Sequence, residues 1–138
     1  MRQSLSDVLA QFTEPQDPKH LRLLEGAASA IIPAELTKKD VGAIFDLYER
    51  FPNEDGYGVF WSFLHAVEAS CGYELALLES VGRKACEFNV MMVGRLLNAG
   101  ILQIGGQDLS LVLAALAARS DISQRVSEVA KSFTAKPG

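Results

Sequence analysis

The residues able to do chemistry are few and scattered. Two histidines, His20 and His65, and two cysteines, Cys71 and Cys86, are the soft ligands and nucleophiles of the 138-residue chain. Zinc takes three or four protein ligands, so a pair such as His65 and Cys71 falls short on number alone. No HExxH, CxxC, phosphate loop or nucleophile elbow occurs. The paired glycines of IGGQD, 104–108, lie between helical stretches with no strand before them, which disfavours a phosphate cradle. PNEDG, 52–56, offers adjacent carboxylates at Glu54 and Asp55. Side by side in a turn they read as solvated acids, and they supply too few oxygens at alternate positions for calcium. No catalytic residue, metal or cofactor is expected.

Residue types that bind are more concentrated. In DGYGVFWSFLH, 55–65, a helix beginning near Tyr57 puts Val59, Phe60, Phe63, Leu64 and Val67 on one burying face. Trp61, His65 and Glu68 fall about a quarter-turn away. That second stripe has two readings. It packs a second neighbour, with His65 satisfied by a backbone or carboxylate group, or it offers Trp61 to a partner, since interface anchors are often aromatics ringed by polar groups. Charge leans toward a partner: Glu35 to Glu79 holds nine acids against three bases, a net of −6, whereas Ser80 onward carries +3. Phosphate backbones are bound by lysine and arginine, so a direct nucleic-acid ligand is not expected and a basic protein is. An acidic rim of Asp46, Glu49, Glu54 and Asp55, with Tyr57, Trp61 and Glu68 beside it, is the expected contact surface.

The elements that must position these residues read as helices. Half the chain is apolar (49%) and the net charge is −4, which suits one folded domain over 1–138. No signal peptide and no membrane span are apparent, so a cytoplasmic protein is expected, with Cys71 and Cys86 buried and reduced. Strand alternation is almost absent. Asp17 before Pro18, Thr37, Asp108 and Asp121 are candidate helix N-caps, and Gly72 and Gly100 candidate stops. EFNVMMVGRLLNAG, 87–100, is apolar almost all round and should be the most buried element, with Arg95 needing a carboxylate and Asn98 backbone partners. Helical pairs start near Lys38, Glu74 and Asp108, a spacing of roughly 35 residues. The expected fold is all-α: N-terminal helices in 1–33, three stacked antiparallel pairs in 37–133 forming a short HEAT-like array or a compact helical bundle, and a frayed tail at 134–138.

YERFPNEDGYGVFWSFLHAVEAS followed by YELALLESVGRKACEFNVMMVGRLLNAGI resembles the small helical immunity proteins of bacterial polymorphic toxin systems, including those of contact-dependent growth inhibition. The likeness spans about residues 44–118 and rests on Phe60, Trp61 and Ser62, then on Glu87, Phe88, Met92, Arg95, Leu96, Asn98 and Gly100. It implies a cytoplasmic, non-catalytic antidote that binds one cognate toxin C-terminal domain, often a nuclease, and blocks its active site or substrate path. A nuclease cleft is basic because it holds phosphates, so an acidic inhibitor suits it. A helical adaptor or assembly factor unrelated to toxins is the alternative.

Overall fold

The computed structural model describes residues 4–52, 54 and 56–134. Among these, the helices are α1 (Leu5–Gln11), α2 (Pro18–Ser29), α3 (Lys38–Arg50), α4 (Val59–Ala69), α5 (Glu74–Arg83), α6 (Glu87–Asn98), α7 (Leu109–Ala118) and α8 (Gln124–Thr134). Short 3-10 turns occupy Pro33–Glu35 and Gly56–Gly58. The fold is an all-α helical bundle, and the expected frayed tail lies outside the described residues beyond Thr134.

Local chemistry sets most boundaries. The Asp17 carboxylate accepts the Lys19 N–H, with Pro18 in the first turn where its missing donor does no harm. Thr37 and Asp40 form a reciprocal capping box at the head of α3. Asp108 caps α7 by accepting from the backbone of Ser110 and Leu111. At the end of α6, Gly100 (φ 94°) turns left-handed so that its N–H reaches the Leu97 carbonyl and the Ile101 N–H reaches that of Leu96. The cap of α8 corrects the expectation: Ser123 Oγ accepts the Val126 N–H, while Asp121 is taken by Arg119 at 2.6 Å.

A second correction is a two-residue hairpin, β1 (Gln103–Ile104) paired antiparallel with β2 (Gln107–Asp108). Gly105 and Gly106 have φ of 56° and 80°, the left-handed pair that a tight two-residue hairpin loop requires. It delivers Asp108 to its capping position.

The pairing is less array-like than the sequence spacing suggests. α5 packs on α6 and α7 on α8, but α3 packs chiefly on α1 and α5 and only lightly on α4. α6 is central, touching α3, α4, α5, α7 and α8, and buries Phe88, Val90, Met92 and Val93. The N-terminal helices belong to the same core, since Leu9, Phe12 and Leu24 are fully buried. Arg50 fastens them: its guanidinium donates to the carbonyls of Leu9 (2.8 Å) and Phe12 (2.9 Å) at the end of α1, the Leu9 carbonyl also accepting the Phe12 N–H. At the centre, Tyr48 stacks on Phe88 at 5.1 Å, and its hydroxyl donates to the Phe60 carbonyl at 2.9 Å. Of the two thiols, both free, Cys86 is buried as expected and Cys71 is exposed, because α4 ends at Ala69 and leaves Cys71 in the following bend.

Candidate functional site

The approach to α4 is conformationally unusual. Gly56, Tyr57 and Gly58 all have positive φ, at 58°, 52° and 91°. Gly56 has a packing reason as well, because a Cβ there would come within 2.9 Å of the Phe60 ring. For a bulky residue such as Tyr57 the left-handed region costs roughly 1–2 kcal/mol. The ring gains little burial in return, being 71% exposed. It is held in place all the same, since its hydroxyl donates to Gln16 Oε1 at 2.7 Å.

Below the turn, the outward face of α4 carries Trp61, Ser62, His65 and Ala69, all exposed, opposite the buried Val59, Phe60, Phe63, Leu64 and Val67. Trp61 is divided between the two roles the sequence left open. One edge lies against Phe88 at 5.3 Å, and 36% of the residue is open to solvent. His65 lies beside it at 6.1 Å between ring centroids. On one flank Glu68 holds Arg95 of α6 through two bonds of 2.7 and 2.8 Å. This is the carboxylate that Arg95 was expected to need, while Asn98 is exposed and needs no buried partner. On the other flank, Tyr57, Gly58, Val59 and Ser62 meet Glu25, Ala28 and Ser29 of α2 around a cleft of about 440 Å³.

Two acids of the expected rim, Asp46 and Glu49, are held by arginines within the fold. Asp46 pairs with Arg50 at 2.9 Å along α3. Glu49 turns inward, with its side chain only 14% exposed, and accepts from Arg83 at 3.0 Å and from Ser80 Oγ at 2.8 Å. Glu54 is half-buried, its N–H donating to the Phe51 carbonyl, and Asp55 lies outside the described residues. Thus Trp61 lies on the outward face of α4 with Glu68 at its margin and Tyr57 on the turn that precedes it, while Asp46 and Glu49 belong to α3 and are matched by arginines.

Behind Glu49 lies a polar relay that sequence reasoning missed. Ser80 Oγ accepts from Asn89 Nδ2 at 3.0 Å, Asn89 Nδ2 also donates to the Lys84 carbonyl at 2.9 Å, and Asn89 Oδ1 accepts the Cys86 N–H at 2.8 Å. Asn89 and Ser80 have no solvent exposure. A signal existed, because Asn89 is the third residue of α6, where a polar side chain can reach back to the cap.

Burial pushes the Cys86 thiol up to about 12, with nearby Glu49 adding to the effect. Tyr73 is pushed to about 12 by burial first and then by Glu68 and Glu74, and buried Tyr48 is raised well above the ordinary phenol value. These groups hold their protons at neutral pH, which makes Cys86 a packing residue with a weak claim to nucleophilicity. Among the described residues, no three of the His, Cys, Asp and Glu side chains converge to hold a metal, and no helix is long and apolar enough to cross a membrane. No protein-family model, curated protein or solved structure matches the chain.

Proposed function

We propose that this chain acts by binding, as an immunity-type inhibitor that sits on one cognate toxin domain of the nuclease kind and occludes its active site or substrate path through the outward face of α4. The observation that carries the reading is Tyr57: a bulky side chain in a strained backbone conformation, mostly exposed, and tethered by Gln16. Strain of that kind persists where the surroundings enforce it, and it concentrates at ligand clamps and functional turns. Trp61, on the outward face of α4, has the amphipathic ring that binding anchors favour. The net charge of −4 supports a basic partner, and the sequence resemblance supports a toxin.

The test is co-expression with the C-terminal fragment of the adjacent open reading frame, scored for growth. Wild-type chain restores growth, and Tyr57→Gly with Trp61→Ala does not, although the double variant stays folded by circular dichroism. A helical adaptor or assembly module is the second reading. It is favoured by α7, whose outward Leu111 is 67% exposed in a helix with no charged residue from Leu109 to Ala118. Failure of the wild-type chain to restore growth leaves that reading standing in place of the first.

A further inference from the structure

We infer that the cleft between α2 and the start of α4 is a receptor for an arginine side chain of the protein partner. This rests on the reading that a basic protein covers the α4 face, and it names the chemistry of one contact.

Glu25 is exposed at this cleft and, among the described residues, meets no cation; Arg22, one turn earlier on α2, makes no ion pair with it. It differs in this from Asp46, Glu49 and Glu68, each of which is held by an arginine. Tyr57 forms a wall of the same cleft, and its tether to Gln16 means that little ring motion need be frozen when a cation stacks on it. A guanidinium lying against the ring would meet π density on one side and the carboxylate at its edge. Ser29 and Ser62 add hydroxyl oxygens able to accept from the remaining N–H groups.

The backbone dipoles oppose one another here. Ala28 and Ser29 end α2, whose last turn has no basic residue, so the end is worth about −0.5 charge. Gly58 and Val59 begin α4 and supply about +0.5. These partial charges offset, leaving the full negative charge of Glu25 to decide the sign. Arginine fits better than lysine because a planar group with several donors can stack and reach more than one acceptor at once.

The probe is the tripeptide N-acetyl-Ala-Arg-Ala-amide, titrated into the full chain and followed by amide NMR. Its control carries citrulline in place of arginine, which keeps the shape and removes the charge. Saturable shifts are expected at Ser29, Gly58 and Ser62 with the arginine peptide only. Glu25→Gln and Tyr57→Gly should each weaken it about three- to fivefold, and Glu68→Gln should leave it unchanged. Equal shifts with the citrulline peptide, an unchanged response in Glu25→Gln, or no saturable shift at these amides would overturn the assignment. Growth restored by Glu25→Gln together with no peptide response removes the arginine site and keeps the inhibitor; peptide binding at the cleft without growth rescue by the wild-type chain keeps the site and removes the toxin partner.

Discussion

The acidic flank of α3 and the aromatic face of α4 are built from neighbouring stretches of sequence and end in opposite conditions. On α3, Glu49 is drawn inward by Arg83 and Ser80, and the chain of contacts continues through Asn89 into α6. On α4, Tyr57 is lifted out of the core by a left-handed turn and held there. Charge in the first region serves the fold, and aromatic surface in the second stays open to solvent. The difference teaches that formal charge along a segment is a poor measure of charge offered to a partner. An acid half-buried against arginine and hydroxyl donors presents little field, whereas one exposed ring on a constrained turn presents a defined shape.

Substitutions can break this contrast from either side. The largest effect is expected for Asn89→Ala, which leaves the buried Cys86 amide and Ser80 hydroxyl and the Lys84 carbonyl short of partners; urea unfolding should show a loss of about 3 kcal/mol. Alkaline pH should act on the same closed region. Cys86 and Tyr73 ionise near 9 and 10 when unprotected and near 12 in the fold, so above pH 9 the unfolded chain loses protons first. Stability is therefore complete below pH 9 and falls toward pH 12, by at most about 1.4 kcal/mol per pH unit for each group, as a pH series of urea midpoints would show. Glu49→Ala should cost less, about 1.5 kcal/mol in the same unfolding measurement, because Arg83 is half-exposed and can turn to water while Ser80 keeps its bond from Asn89. Smallest in stability is Tyr57→Gly, expected within about 0.5 kcal/mol of wild type, since relief of strain offsets the lost tether and the looser unfolded chain. Its partner affinity, read by calorimetry with the cognate domain, should nonetheless fall about tenfold or more. A large stability loss with unchanged affinity would place Tyr57 with the closed region.

The legible parts were local. Asp17, Thr37, Asp108 and Gly100 act within a few residues of themselves, so type and position were enough to assign them. Helical periodicity likewise separated Phe60 and Phe63 from Trp61 and His65. The inward turn of Glu49 was hidden because its partner arginine is distant in the chain: Arg83 lies 34 residues away. Glu25 was passed over for the same reason, since only packing of α2 against α4 brings it beside Tyr57. Cys71 was misplaced by a helix end two residues early, and the Gly105–Gly106 hairpin carried a readable turn signal without strands long enough to draw attention.

Gly94 sits buried in the middle of α6 with the Phe133 ring of α8 laid so closely over it that a methyl group there would overlap the ring. The last helix is thus seated on a missing side chain. In an alanine survey scored only by loss of the binding proposed above, position 94 would stand out as strongly as any contact residue, though it is buried. Pairing Gly94→Ala with Phe133→Ala, which empties the seat, is the way to tell such a keystone from a genuine point of grip.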